Sequence, residues 1–329
     1  MPRDPNAIKA ALEAHLPFGR DITGVTALAD GFSNETYVLE GANLILRMPP
    51  TSAPLLAPFQ VHDVVTQYRI LDAYYALGSG PPVPRPVLIE TDPSVIGAPF
   101  FLMERIESDP WGDWGTPDWL VQGDDDLRSS VSAQIVGMYT QLHKLDPLEA
   151  LGQPLSNRDE LARWADPVLD IAAPALREAF ALLAQTVPED QPPAPCHGDA
   201  KMANILWKDG KIAAMLDYEM SFNGDPRWDL GALLEGLRGL DGQALPDADV
   251  QGIWGRERLK AAWSSCTGRS LDREHWFEAA GRARYAAILT YGVQLVTEGK
   301  SKDDRFAIFG PTAERLSQIA LEKARLDAE

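Results

Sequence analysis

Apolar and polar positions follow two rhythms along this chain, and the change falls near residue 105. Ahead of it, short apolar runs bounded by Gly, Pro and Asp predict strands at 25–28, 36–39, 44–48, 87–90 and 99–104. Two helices accompany them. Residues 5–16 place Ile8, Leu12 and Leu16 on one face, and residues 61–77 place Val61, Val64, Val65, Tyr68, Leu71, Tyr74 and Tyr75 on another, with Gln67 in mid-helix. After residue 105 the period becomes helical, at 128–145, 159–185 with breaks at Pro167 and Pro174, 253–266, 272–297 and 311–327. Asp225-Pro226 reads as a cap opening a further helix that runs through Leu237.

One stretch of the helical half breaks that rhythm. Residues 196–219 read as a polar loop, an apolar strand, a turn at Lys208-Asp209-Gly210-Lys211 and a second apolar strand. Asp-Gly between apolar runs signals a β-hairpin, which brings the loop residues His197, Asp199, Lys201 and Asn204 close to Asp217 and Glu219. The expected fold class is therefore α+β, with a β-rich lobe (1–105), an α-rich lobe (106–329) and a cleft between them. A Gly/Pro/Asp-rich stretch holding Trp111, Trp114 and Trp119 is expected as a surface excursion, closed by the acidic run at 124–126.

Composition narrows the picture. The chain has 329 residues and a net charge of −18, so nucleic-acid binding, which needs a basic face, is not expected. No apolar run approaches the roughly 18 residues of a membrane span. Two cysteines, Cys196 and Cys266, form no metal pair and are expected as reduced thiols in a cytoplasmic protein.

The polar residues of the hairpin supply a carboxylate to meet a hydroxyl and oxygen ligands for a hard cation, the equipment of phosphoryl transfer. Arg47 is the single cation of an apolar strand, so it either snorkels to solvent or faces a polar cleft. The small polar turn at 29–35 could lay N–H groups over a phosphate, although an ordinary hairpin turn is the better reading of the residues alone.

His197-Gly198-Asp199, with Asn204 five positions after the Asp and Asp217 eighteen after it, resembles the catalytic loop and metal site of the aminoglycoside phosphotransferase / choline kinase superfamily, which shares the protein-kinase fold. Leu216-Asp217-Tyr218-Glu219-Met220, Gly224-Asp225-Pro226, Asp229-Leu230-Gly231 and Val83-Pro84-Arg85-Pro86 resemble the branch associated with acyl-CoA dehydrogenases. The resemblance implies an ATP-dependent, magnesium-dependent kinase acting on a small-molecule hydroxyl, of an aminoglycoside or of a hydroxyacyl-CoA or hydroxy acid. It implies Asp199 as base, Lys201 as a charge-neutralising group, Asn204 and Asp217 as Mg²⁺ ligands and His197 as a loop brace. Glu219 becomes a second metal or substrate contact. Gly31, Phe32 and Ser33 would cover the phosphates, Met103 would border the adenine, and the backbone from Glu104 to Ile106 would bond the base. Asp225 and Asp229 are expected to cap and brace rather than react. The fold's strand lysine and helix glutamate fall on Arg47 and Gln67, a contact that would keep a hydrogen bond but lose an ion pair. That departure motivates an alternative, a catalytically weak nucleotide-binding regulatory protein. Arg256, Arg258, Lys260 and Arg269 are the candidates for CoA phosphates.

Overall fold

A computed structural model describes residues 3–17, 19–28, 33–51, 53–109, 111–112, 115–301 and 304–328. The expected early strands are β1 (Gly24–Leu28), β2 (Glu35–Glu40), β3 (Leu44–Met48), β4 (Pro86–Glu90) and β5 (Phe100–Glu104). They pair antiparallel in the order β1-β2-β3-β5-β4. Because side chains alternate along a strand, β3 serves two surfaces. Leu44, Leu46 and Met48 point into a core with Tyr37, Leu39, Phe100 and the Ile8/Leu12 face of α1 (Pro5–His15). Ile45 and Arg47 point the other way, toward α2 (Val64–Leu77) and the rest of the chain. Each fully buried aliphatic side chain contributes about 1.5–3 kcal/mol to holding these surfaces together.

α2 starts later than its apolar pattern suggests because Asp63 caps it, accepting the Thr66 N–H at 2.7 Å. Gly78, left-handed at φ 61°, ends it. The same chemistry moves a second boundary. Asp124 accepts the Leu127 N–H at 2.8 Å, so the acidic run opens a helix that pattern reading begins at residue 128.

The helical part contains α3 (Asp118–Val121), α4 (Asp125–His143), α5 (Asn157–Ala165), α6 (Pro174–Gln185), α7 (Arg227–Gly236), α8 (Arg256–Thr267), α9 (Glu274–Thr297) and α10 (Phe309–Ala328). α9 lies at its centre, packed against α5, α6, α7 and α10. Gly231 permits the α7–α9 approach, since a Cβ there would stand 2.7 Å from the Phe277 carbonyl carbon. The apolar core around α9 gathers Trp164, Trp228, Trp276 and Phe277.

The expected hairpin forms from β7 (Ile205–Lys208) and β8 (Lys211–Met215), pairing Ile205 with Met215. Asp209 and Gly210 take φ of 50° and 70°, the left-handed pair that suits strand twist in a two-residue turn. Two strands escape the periodicity argument. β6 (Ala194–Cys196) and β9 (Phe222–Gly224) pair antiparallel on either side of the hairpin. This pairing brings residues 197–199 alongside residues 217–221.

The tryptophan stretch corrects the expected surface excursion. Trp111 and Trp119 pack on fully buried Trp207 of β7, with ring centroids 5.5 and 5.8 Å away, while Trp114 lies outside the described residues. The Asp109 N–H donates to the Trp207 carbonyl at 2.6 Å, pinning the stretch to the hairpin. It covers the hairpin instead of leaving the surface, because three large rings bury more apolar area together than apart.

Candidate active site

The loop after β6 is shaped by Gly198. Its φ is 81°, and a Cβ there would sit 2.1 Å from the Met220 carbonyl oxygen, so only glycine fits the turn. Asp229, fully buried at the start of α7, accepts the N–H groups of His197 and Gly198 at 2.6 and 2.9 Å. Asp229 is held in turn by His143 at 3.1 Å, and Trp263 donates to His143 Nδ1 at 2.9 Å. An indole N–H can only donate, so His143 Nδ1 is an acceptor and its Nε2 carries the proton given to Asp229. His197 is fixed by the same reasoning. Its Nδ1 accepts the Asp199 N–H at 3.2 Å, leaving Nε2 to donate to the Leu216 carbonyl at 2.7 Å.

This frame presents Asp199, nearly buried. Oδ2 accepts Asn204 Nδ2 at 2.8 Å and lies 3.2 Å from Lys201 Nζ, while Oδ1 accepts the Tyr285 hydroxyl at 2.7 Å. Burial raises the Asp199 pKa, but Lys201, the Tyr285 hydroxyl, His197 and Asn204 outweigh it and hold the carboxyl well below the usual carboxylate range. The group is an ionised acceptor at neutral pH. Asn204 also donates to the Asp199 carbonyl at 2.9 Å, and its own carbonyl accepts the Leu216 N–H at 2.8 Å. Asn204 therefore joins the loop to the strand that ends at Asp217.

Asp217 has a left-handed backbone at φ 67°, a conformation that aspartate tolerates better than most non-glycine residues. Arg47 faces the cleft, as one of its two sequence readings allowed, and bonds Asp217 Oδ1 at 2.6 Å, with Glu219 3.7 Å away. The expected Arg47–Gln67 pairing is thus replaced. Gln67 Nε2 donates to the His62 carbonyl at 2.8 Å, and Arg47 gains its ion pair from the hairpin end. Arg47 and Gln67 still border one small cavity with Phe101, Met103 and Asp217. Glu219 Oε2 accepts Asn34 Nδ2 at 2.8 Å, and the Ser33 side chain lies beside the same carboxylate. Burial and the Asp217 carboxylate push the Glu219 pKa up, with Arg47 and Ser33 offsetting only part.

The edge of β5 refines the expected base contacts. The Glu104 N–H is spent on the Arg85 carbonyl at 2.9 Å and the Arg105 N–H on the Asn43 carbonyl at 3.2 Å. The Ile106 N–H donates to no partner among the described residues. Met103 is buried at the cavity wall. Gly31 and Phe32 lie outside the described residues, while Ser33 stands at Glu219. The four cations considered for CoA phosphates are engaged internally. Arg256 pairs with Glu235 and Glu278, Arg258 with Asp249, and Lys260 with Glu257 and Glu274, while Arg269 donates to the carbonyls of Pro192 and His143. Asp225 ion-pairs with Arg227 at 2.6 Å and accepts its N–H at 3.0 Å, a bracing role as expected.

Tyr285, His143, Trp263 and Asn34 were not singled out from sequence. His143 did carry a signal, since it extends the buried Val131, Ile135, Tyr139 stripe by one more step of four. A polar ring on such a stripe must have partners.

Metal chemistry fits the donors. Asn204 gives its amide protons to Asp199, which leaves Oδ1 as an oxygen donor, and Arg47 occupies only Oδ1 of Asp217. Two protein oxygens suit Mg²⁺, which takes the remainder of its shell from water and phosphates. Among the described residues no cluster of three or more His, Cys, Asp or Glu could hold a metal unaided.

Residues 24–265 match the family described as "Phosphotransferase enzyme family". The chain is 29% identical over 248 residues to acyl-CoA dehydrogenase family member 11 of Rattus norvegicus, covering 70% of this chain and 31% of that protein. It thus spans about a third of that relative's length. A putative aminoglycoside phosphotransferase from Ralstonia eutropha superposes with a TM-score of 0.73 at 22% identity, covering 96% of this chain and 98% of the other. A thermostable mutant of aminoglycoside phosphotransferase APH(4)-Ia, in ternary complex with AMP-PNP and hygromycin B, superposes with a TM-score of 0.61 at 15% identity, covering 95% and 98%. The fold is accordingly the bilobal, kinase-like α+β fold. Among the described residues no helix is long and apolar enough to cross a membrane.

Proposed function

The chain belongs to the phosphotransferase enzyme family, and from that premise we propose that it transfers the γ-phosphate of ATP to a hydroxyl of a small molecule, with Asp199 as the base. The observation that carries this reading is the ionised, buried Asp199, braced from behind by Asp229 and flanked by Lys201 and Asn204. Asp199 orients the acceptor hydroxyl and takes its proton as the oxygen attacks phosphorus. Lys201 neutralises charge on the group in transit. Asn204 Oδ1 and Asp217 would hold Mg²⁺, which supplies charge neutralisation between the phosphates when bound. Arg47, which bonds Asp217, would fork onto a phosphate. Ser33 belongs to the turn that would cover the phosphates, with Glu219 as its tether. The adenine would lie against Met103, with the Ile106 N–H as its backbone donor and the Glu104 carbonyl as acceptor.

Residues 1–105 then act as the nucleotide lobe and residues 106–329 as the catalytic and acceptor lobe. The acceptor we favour is a hydroxyacyl-CoA or hydroxy acid, because the sequence relatives are named as acyl-CoA dehydrogenases. An aminoglycoside is the second reading, favoured by the neighbour solved with hygromycin B. Two free cysteines support a reducing, cytoplasmic setting. Calorimetric titration with Mg-ATP, followed by ADP release across a panel of hydroxy compounds, tests the assignment. Turnover should vanish in Asp199→Ala and Asp217→Ala; unchanged turnover in both would overturn it.

A further inference from the structure

We propose that the Tyr285 hydroxyl fills the acceptor hydroxyl's place at Asp199 and keeps water from attacking the bound nucleotide until an acceptor displaces it. The inference rests on the phosphotransferase reading and goes beyond it to what the site does when no acceptor is present.

The two oxygens of Asp199 are used differently. Oδ2 is taken by the Asn204 amide and the Lys201 ammonium, groups that orient and neutralise. Oδ1 is the oxygen on which a reacting hydroxyl would sit, and there the Tyr285 hydroxyl donates at 2.7 Å. Tyr285 projects from the long central helix α9, and the buried Arg284 guanidinium lies 5.5 Å from its ring centroid. The phenol oxygen is tethered by that helix and stays at the base. A water molecule in the same place would be free to advance.

Removing only that oxygen would open a space about the size of one water beside an ionised carboxylate, a place water enters readily. In the reaction that the hydroxyl suppresses, the water oxygen bonds to the γ-phosphorus and the bond from phosphorus to the β,γ-bridging oxygen breaks. The water proton passes to Asp199 Oδ1 and then to solvent, and ADP and inorganic phosphate leave. An acceptor hydroxyl follows the same path once it has displaced Tyr285, with the phosphorylated alcohol as product.

The test needs no acceptor. ADP release from Mg-ATP by the full chain is compared for the unsubstituted protein, Tyr285→Phe, Asp199→Asn and the double variant, with Mg-ATP affinity measured by calorimetry. Tyr285→Phe should hydrolyse ATP roughly tenfold faster at similar affinity, and the double variant should lose that gain. A purely structural role for Tyr285 would lower activity instead of raising it. Unchanged or slower hydrolysis in Tyr285→Phe with Mg-ATP still bound would overturn the inference alone. So would phosphate found on Tyr285 by mass spectrometry, since the hydroxyl would then be an acceptor and not a guard. Absence of Mg-ATP binding in every variant would overturn the phosphotransferase reading and this inference together.

Discussion

Asp199 and Asp217 flank the same hairpin, and the chain holds them in different ways. Asp199 is nearly buried, and its loop is fixed from behind by a file of side chains running Trp263, His143, Asp229. All of those partners lie in the helical part. Asp217 is partly exposed, has a left-handed backbone, and is held by Arg47 from the sheet across the cleft. Its neighbour Glu219 is likewise held from the sheet side, by Asn34 and Ser33. One carboxylate is set before any ligand arrives, while the other is held by contacts that a nucleotide and a cation can replace. The difference suits the proposed roles, since a base gains from preorganisation and a metal ligand must change partners.

The largest effect should come from the preset side. Asp199→Asn should lower acceptor turnover by roughly 10²–10⁴-fold, the worth of a positioned base, with Mg-ATP affinity nearly unchanged by calorimetry. Comparable losses of affinity and turnover would mean that Asp199 is as bound up with the nucleotide as Asp217. Next comes the brace itself. Asp229→Ala leaves two buried N–H groups and His143 without their acceptor, so it should cost about 3–5 kcal/mol in urea unfolding. A cost below about 1 kcal/mol would break the claim that the loop is held from behind.

Asp217→Ala tests the other side. It removes a part-buried ion pair and puts alanine at φ 67°, where it is tolerated less well than aspartate, so stability should fall by only about 1–2 kcal/mol. The effect should appear in binding: the advantage that magnesium gives to ATP affinity should fall by about 100-fold. Titrations with and without EDTA measure it, and an undiminished magnesium advantage would remove Asp217 from the metal site.

How much of this was legible in the sequence follows from how local each signal is. The hairpin with its Asp-Gly turn, the sheet strands and the spacing of Asp199, Asn204 and Asp217 all depend on neighbours along the chain. Periodicity and turn chemistry reached the hairpin and the strands, and the family resemblance gave the spacing its meaning. Helix starts at Asp63 and Asp124 were misplaced by a few residues because the apolar pattern begins before the first cap and after the second, whereas the side-chain oxygen decides the boundary. Strands β6 and β9 are too short for any period to show. Tyr285 and Asn34 reach the site from 86 and 185 residues away in sequence, and no local rule predicts such contacts. Arg47 was read correctly as either solvent-seeking or cleft-facing. Choosing between them needed the β3 register, which sends Arg47 to the face away from α1.

Acid should erode the preset side before any mutation does. Burial raises the pKa of Asp225, Asp229 and Glu235, yet Arg227 for the first, His143 for the second and Arg282 with Lys323 for the third hold each below its ordinary value. A carboxyl with a depressed folded-state pKa adds stability that is complete above the unfolded value, near pH 4, and is lost as pH falls through the folded value. The urea midpoint should therefore fall as pH drops below about 4. Arg227→Met should make the fall shallower by removing the cation that depresses Asp225. A fall of the same steepness in that variant would show that Asp225 does not carry it.

The smallest effect should come from the tether between the sheet and Glu219. Asn34 Nδ2 donates to Glu219 Oε2 at 2.8 Å in a half-buried setting, so Asn34→Ala should cost about 1 kcal/mol of stability, well short of the Asp229→Ala loss. Glu219 retains Arg47 and Ser33, which is why the loss stays small. If the Asp217 side is replaceable as argued, Mg-ATP should restore most of that stability, because nucleotide contacts would take over the work of the missing amide. The measurement is the thermal midpoint of Asn34→Ala and of the unsubstituted protein, each with and without Mg-ATP. A larger nucleotide-induced rise in the variant supports the contrast between the two carboxylates. A deficit that Mg-ATP leaves untouched would mean that Asn34 braces Glu219 in the same fixed way that Asp229 braces the Asp199 loop, and the contrast would fail.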